Sequence, residues 1–267
     1  MATVARELNP GPTFFDHRAE DYDREYQHQT AGGYALRIRR EKVLRLFDQP
    51  GGKVLDVGCG PGVMAQDMIG RGCSFWGVDP SVKMLEICQR RFRHEPRAHF
   101  LQGDASRLAL PSGFFDAVLC MGVIDGVSDR RQAVREMIRV LRPGGTLIIT
   151  FANLYGPYAW WKKYVFYPAV TAYQRIRPTG ETPRQPTAPD AKERTLYGKS
   201  SARAFLESEG AHVSQVLGYY FNIFLSPLDE IFPGLALRVT QALEEGRCPR
   251  PEWIASGWIV KATKGGA

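Results

Sequence analysis

The chain has 267 residues, of which 44% are hydrophobic, and this composition is typical of a globular protein with one main domain. Its five cysteines form no CxxC pair and are odd in number, so we expect neither a disulfide framework nor a metal centre. No signal-peptide pattern or bilayer-length apolar run occurs, which favours a cytoplasmic protein. The net charge of +7 favours acidic partners, but the basic residues are dispersed, as on a mildly basic surface.

Short apolar runs alternate with helical patterns in the middle of the sequence, which predicts a parallel sheet with crossover helices. We expect strands at residues 53–57, 74–78, 99–102, 117–120 and 146–150. Helices are expected at 63–70, 81–92 and 129–141, and Pro143-Gly144-Gly145 is expected to end the last of them abruptly.

The pattern changes after Thr150. Residues 151–178 are rich in aromatic side chains, and a polar Pro/Thr-rich stretch at 177–189 predicts an exposed loop. Helices at 199–209 and 228–243 and strands near 212–218 and 257–262 would complete a sheet of seven strands. We therefore divide the chain into a core at 46–150, an aromatic cap insertion with its loop at 151–198, and a final part at 199–267.

Residues 54–62 read VLDVGCGPG and pass from a strand through a glycine-rich turn into a helix. Such a turn brings the backbone close to a ligand and presents amide groups at a helix N-terminus. The glycines follow G-x-G-x-G, whereas the dinucleotide fingerprint needs a further glycine where Val63 stands. The spacing therefore disfavours nicotinamide binding.

Two carboxylates end the first two predicted strands. Asp56 can accept hydrogen bonds from a cationic amino group or an ordering water, as an amino-acid-like ligand would require. Asp79 can bind both hydroxyls of a ribose, and the alternative is that it caps the helix beginning at Ser81.

The segment VLDVGCGPG followed by GVDPS resembles the first two motifs of class I S-adenosylmethionine-dependent methyltransferases. The similarity continues through residues 103–105, 115–120 and 139–145, and covers about residues 46–150. It implies a Rossmann-like α/β fold with a doubly wound, seven-stranded, mostly parallel sheet and an antiparallel last strand. N-terminal lid helices at 1–45 and a helical cap after the fifth strand would complete it.

The resemblance implies S-adenosylmethionine as cofactor and S-adenosylhomocysteine as product. The implied cofactor-binding residues are Tyr22, Asp56, Gly58, Cys59, Gly60, Gly62, Asp79, Pro80, Met84, Asp104, Ala105, Cys120, Met121 and Gly122. The glycine loop would face the methionine part, Asp79 the ribose, and Met84 the adenine. Asp104 and Ala105 would lie at the adenine amino edge, and residues 120–122 would line the sulfonium side. The alternative for Met84 is an ordinary core residue.

The acceptor side is less defined. Residues 123–126 depart from the Val-Leu-His-His-like segment of many small-molecule relatives, so Asp125 is a candidate base or substrate contact, or else a turn residue. Residues 14–23 resemble the lead-in helix of methyltransferases of quinone biosynthesis, with Tyr22 reaching the cofactor; the alternative is a surface helix. Tyr155, Tyr158 and Trp161 are candidates for an apolar acceptor wall, or for the core of their own cap.

We therefore expect a methyltransferase acting on a small hydrophobic or lipid-like metabolite of natural-product or quinone type. The alternatives are an RNA methyltransferase, against which the dispersed basic residues argue, and a non-catalytic cofactor-binding protein. The Asn-Pro-Pro-Tyr type motif is absent, which argues against DNA. Peripheral contact with a membrane and the oligomeric state stay open.

Overall fold

The computed structural model describes residues 12–153, 155–161, 164–165, 168–169, 197–223 and 231–265. Two helices, α1 (Pro12–Glu25) and α2 (Ala31–Leu46), precede the sheet. Helix α2 begins after Thr30, whose hydroxyl accepts a hydrogen bond from the Gly33 amide at 3.1 Å and so caps the helix N-terminus.

A seven-stranded sheet forms the centre of the molecule. Its strands are β1 (Lys53–Val57), β2 (Ser74–Asp79), β3 (Ala98–Gln102), β4 (Phe115–Cys120), β5 (Leu141–Ala152), β6 (Ala211–Phe221) and β7 (Ala255–Lys264). They lie in the order β3-β2-β1-β4-β5-β7-β6, and β7 runs antiparallel to both of its neighbours. The predicted doubly wound sheet with an antiparallel last strand is confirmed.

Helices cover both faces of this sheet. They are α3 (Val63–Gly70), α4 (Val82–Arg91), α5 (Arg130–Val140), α6 (Pro157–Trp161), α7 (Lys199–Ser208) and α8 (Pro233–Glu244). Helices α4 and α5 begin after Ser81 and Asp129, whose side chains accept hydrogen bonds from the amides three residues later.

The core has two layers because side chains alternate across the strands. On one face, β1 contributes Leu55 to a cluster that includes Met137 of α5 and Leu206 of α7. On the other face, Val54 packs in a cluster with Val43 of α2 and Met64 of α3, so that N-terminal helix α2 is part of the domain core.

Helix α1 lies against α4. The Asp16 carboxylate accepts hydrogen bonds from the Ser81 hydroxyl at 2.5 Å and the Lys83 amide at 3.2 Å, and Asp23 pairs with Arg91 at 2.7 Å. The structure thus places the predicted lid helix over the helix that follows β2.

Several predicted boundaries are wrong near β5. Helix α5 ends at Val140, before the Pro-Gly-Gly turn, and that turn lies inside the range of β5. The strand continues to Ala152, because Phe151 and Ala152 pair with Trp258 and Gly257 of β7. Phe151 is therefore a fully buried core residue and not part of a cap.

Other predictions fall partly outside the described residues. The polar loop predicted at 177–189 lies there, as do residues 228–230 of the helix predicted at 228–243, which the structure shows from Pro233 as α8. None of the helices within the described ranges combines the length and the apolar character needed to cross a bilayer.

Candidate cofactor and acceptor cavity

A cavity of about 420 Å³ opens at the carboxyl ends of the parallel strands. Its walls come from the turns after β1, β2, β3 and β4 and from the two N-terminal helices. This is the edge at which open α/β sheets bind ligands.

The glycine loop forms one wall through its backbone. The Gly58 amide donates to the Val78 carbonyl at 2.7 Å, which holds the loop against the end of β2. Gly58 has φ +74°. A Cβ at this position would lie 2.2 Å from the Val123 side chain in the turn after β4. Only glycine allows both this backbone conformation and the close approach.

The Asp79 carboxylate is held in place by the same loop. One oxygen accepts a hydrogen bond from the Gly60 amide at 2.8 Å, and the other accepts from the Ser81 amide at 2.9 Å. Burial raises the pKa of Asp79, and these two hydrogen bonds oppose that rise. The helix cap is Ser81 itself, whose hydroxyl accepts from the Met84 amide. Asp79 thus orients the loop and lines the cavity.

Asp56 lies deeper, with 1% of its surface exposed. Its Oδ1 atom has no hydrogen-bond partner among the residues that the structure describes. Burial, followed by the negative charge of Asp79, raises the pKa of Asp56 to about 7, and Arg39 acts in the opposite direction. A buried carboxylate lining a cavity without a partner fits a ligand that brings a positive charge.

Arg39 was missed by sequence reasoning. Its guanidinium is hydrogen-bonded to the Tyr26 phenol and lines the cavity, while its Nε atom has no partner in the described part of the chain. A Cβ on Gly122 would lie only 2.5 Å from Arg39 Nη1, so the glycine leaves room for the guanidinium.

The three arginines of the Arg37-Ile38-Arg39-Arg40 run have different roles. Arg37 donates to the carbonyls of Tyr26 and His28, Arg40 pairs with Asp67 at the surface, and Arg39 faces the cavity. From the sequence, these residues were only part of a dispersed basic charge. The helical spacing could have shown that Arg37 and Arg40 share a face that Arg39 does not.

Most of the predicted cofactor residues line the cavity. They are Tyr22, Asp56, Gly58, Cys59, Gly60, Asp79, Pro80, Met84, Asp104, Ala105, Met121 and Gly122. Met84 also packs against Ala19 and Tyr22, so it is a core residue of the α1–α4 contact as well.

Gly62 and Cys120 are absent from the described lining of the cavity, and their role as cofactor contacts stays a prediction. Cys120 ends β4 with its side chain fully buried in the sheet core, because side chains alternate across the strand, and Met121 reaches the cavity instead. Gly62 precedes α3, where a Cβ would lie 3.0 Å from Cys88 Sγ. Its role in the fold is close packing.

Asp125 lies at the far side of the cavity, at 8% exposure. One of its oxygens accepts a hydrogen bond from the Ala152 amide at 3.0 Å, which ties the turn after β4 to the end of β5. The predicted catalytic residue therefore reaches the cavity and also supports its wall.

The aromatic residues after β5 lie elsewhere. Neither Tyr155, which is 64% exposed, nor the half-buried Trp161 belongs to the described lining of the cavity. The acceptor wall that the sequence indicated for these residues stays a prediction. The side chain of Tyr158 lies outside the described part of the chain.

The fold and the cavity define the class. A glycine-rich turn between β1 and α3, carboxylates at the ends of β1 and β2, and an antiparallel last strand are the features of a Rossmann-like S-adenosylmethionine-dependent methyltransferase domain. Residues 55–149 match the methyltransferase domain family.

Named relatives share part of the chain. The chain is 33% identical over 146 residues to the demethylmenaquinone methyltransferase of Renibacterium salmoninarum. This match covers 54% of the chain and 60% of that protein. The chain is also 33% identical over 105 residues to the ubiquinone biosynthesis O-methyltransferase of Thiobacillus denitrificans, covering 39% and 45%. Both matches span less than two thirds of the relative.

The fold is shared over nearly the whole chain with a solved SAM-dependent methyltransferase from Thermotoga maritima. The TM-score is 0.58 at 17% identity, and the match covers 94% of this chain and 99% of that one. The fold that the resemblance implied is thereby confirmed.

Proposed function

We propose that the protein transfers the methyl group of S-adenosylmethionine to a small hydrophobic acceptor of quinone type. The proposal rests on two opposite charges that line the cavity, the fully buried Asp56 and the partly buried Arg39, each with a buried atom lacking a partner among the described residues. These atoms are Asp56 Oδ1 and Arg39 Nε.

This pair fits the amino acid end of the donor. Asp56 would accept hydrogen bonds from its ammonium group, and Arg39 would donate to its carboxylate, the anion that a planar guanidinium suits best. Asp79, held by the Gly60 and Ser81 amides, would bind the ribose hydroxyls, with Met84 and Ala105 as apolar walls for the adenine.

When bound, S-adenosylmethionine supplies a methyl group on a positively charged sulfur, which an acceptor lone pair or carbanion takes, leaving S-adenosylhomocysteine. The chain's task is to orient the acceptor and exclude water, and positioning of this kind is worth roughly 7–11 kcal/mol. The cavity is also lined by Met121, Gly122, Tyr22 and Tyr26, which would enclose the methyl group.

Asp125 is proposed as the residue that takes the acceptor proton or binds the acceptor. Its carboxylate lines the cavity and is oriented by the Ala152 amide. A positioned base contributes about 10²–10⁴-fold to such a step. The requirement is greatest for an alcohol and least for an acidic phenol, so replacement of Asp125 would also report on the acceptor atom.

Two observations support a hydrophobic acceptor of quinone type. Side chains of Tyr22, Met121 and Val123 give the cavity an apolar wall on the acceptor side. Two relatives with about a third of their matched residues identical are named for menaquinone and ubiquinone biosynthesis. One relative is named for demethylmenaquinone and the other for ubiquinone biosynthesis, so we propose a class of acceptors, the quinone precursors, and not one compound.

The test supplies donor carrying a radiolabelled methyl group, together with demethylmenaquinol, a demethylated ubiquinol precursor, or transfer RNA. We expect label in one of the two hydroxylated quinol acceptors and none in RNA. Label only in RNA would contradict the proposed acceptor class, whereas binding of the donor without transfer to any acceptor would indicate a non-catalytic protein.

A further inference from the structure

Four large aromatic side chains are exposed in the segments that follow β5 and precede β7. Tyr155, Trp160, Tyr164 and Trp253, here called the aromatic shelf, have exposed fractions of 64, 55, 57 and 56%. Trp160 and Tyr164 are also in ring contact, with centroids 5.6 Å apart. Exposed aromatic residues grouped in this way indicate a surface that another phase or molecule covers.

The shelf is attached to the sheet through one buried side chain. Asn153, which is fully buried, accepts a hydrogen bond from the Tyr155 amide at 3.0 Å and donates to the Trp253 carbonyl at 2.9 Å. It donates also to the Ala255 carbonyl at 2.7 Å. Asn153 therefore fixes both parts of the shelf, the segment after β5 and the turn before β7, at one edge of the sheet.

The same edge carries the cavity. The Ala152 amide, next to Asn153, donates to the Asp125 carboxylate, and Asp125 lines the cavity. An acceptor that leaves the surface covered by the shelf would thus meet the acceptor side of the cavity first.

Charge and composition decide which partner fits. No aspartate or glutamate occurs in the sequence between Glu136 and Glu181, a stretch that includes three of the four shelf residues, and Glu252 beside Trp253 is paired with Lys199. The whole chain carries +7. Tryptophan and tyrosine, each an apolar ring with a polar group, are the side chains enriched at membrane–water interfaces, and basic residues add attraction to anionic lipids.

We propose that the aromatic shelf docks on the surface of a bilayer that contains anionic lipids. The acceptor class of the proposed function motivates the idea, since a hydrophobic quinone precursor resides in a bilayer. The docking itself is a property of the shelf and does not depend on methyl transfer.

The experiment measures cosedimentation of the full chain with vesicles of phosphatidylcholine, with and without phosphatidylglycerol. The test variant is Trp160→Gln with Trp253→Gln, because both rings are exposed and their loss opens no core cavity. The matched control is Leu101→Gln, an exposed apolar residue (44%) on edge strand β3 at the opposite side of the sheet.

We expect binding to the anionic vesicles, a weaker signal with pure phosphatidylcholine, and a loss of affinity of about tenfold or more in the double variant only. Tryptophan emission should shift to shorter wavelength when vesicles are added. Absence of vesicle binding, equal binding by the double variant, or self-association that the double variant abolishes would overturn the proposal.

Calorimetric titration of each variant with S-adenosylmethionine, without vesicles, separates the two proposals. Wild-type protein that binds the donor but not the vesicles would overturn the proposal of membrane docking alone. Protein that binds vesicles through the shelf but fails to bind the donor would overturn the proposed function alone.

Discussion

The two sides of the cavity are built in different ways. The donor side consists of the glycine loop and two carboxylates, all within residues 56–79, and backbone hydrogen bonds hold it together. The acceptor side combines Tyr22 from the first N-terminal helix with Met121 and Asp125 after β4. A contiguous motif can define a donor site by itself, whereas the acceptor side depends on how distant segments pack.

The largest expected effect is on the donor side. Replacing Asp56 by Asn removes the negative charge proposed to bind the donor's ammonium group, and truncating such a buried pair should weaken donor binding by about 100-fold. Calorimetry with S-adenosylhomocysteine measures this. Asp48→Asn is the control, because Asp48 is exposed and pairs with Lys261 on the surface. An unchanged dissociation constant for Asp56→Asn would contradict the assignment.

The next effect concerns the end of β5 beside the acceptor side. Asn153→Ala leaves the carbonyls of Trp253 and Ala255 without their donor, and we expect a loss of about 2 kcal/mol in the free energy of unfolding. Urea denaturation measures it. Ser214→Ala, which removes one exposed hydroxyl bonded to the Lys261 carbonyl, should change stability little. Equal stabilities of the two variants would show that Asn153 is not the attachment point.

Arg39 and Arg40 are adjacent in sequence, but only Arg39 lines the cavity, so their variants separate an effect on donor binding from a general effect of lost charge. Arg39→Met should weaken donor binding by about tenfold, since it removes the cation proposed for the carboxylate. Arg40→Met is the matched control, because Arg40 pairs with Asp67 outside the cavity. Equal donor affinities for the two variants would assign Arg39 to the acceptor or to the fold.

The smallest expected effect is the pH dependence of donor affinity, which depends on the ionisation of Asp56. The pKa of Asp56 in the folded protein is raised from 3.8 to about 7, so the folded state favours the protonated carboxyl group. The free energy of unfolding of the ligand-free protein therefore falls as the pH rises from about 4 to 7, because the buried carboxylate must then ionise.

Donor binding should change in the opposite sense, because an ammonium group needs the ionised carboxylate. Affinity should rise roughly threefold between about pH 6.5 and 7.5 in the wild type and stay constant in Asp56→Asn. Both profiles follow from one titration series, and a wild-type profile as flat as that of the variant would refute the role of Asp56.

Much of the fold and of the donor side could be predicted because the signals are local. Periodic apolar runs indicated all seven strands, and G-x-G-x-G with Asp56 and Asp79 indicated the turn and its carboxylates. Side-chain direction was less accessible: Cys120 and Met121 are adjacent, yet only Met121 reaches the cavity.

The shape of the acceptor side and the position of Arg39 could not be predicted because their signals are tertiary. The length of β5 follows from pairing with β7, more than a hundred residues later, so the position of Tyr155 could not be read from its aromatic neighbours. The role of Arg39 follows from the packing of α2 on the sheet, which leaves its guanidinium beside Gly122. Neither contact has a trace in local composition.

The central claim is that the cavity holds S-adenosylmethionine through its amino acid end as well as through its nucleoside. Calorimetric titration of the purified chain with S-adenosylmethionine and with 5′-methylthioadenosine, which lacks the amino acid end, tests this directly. We predict binding of one donor per chain, with an affinity for the shortened compound at least about tenfold weaker. Equal affinity for both compounds, or no binding of either, would contradict the account.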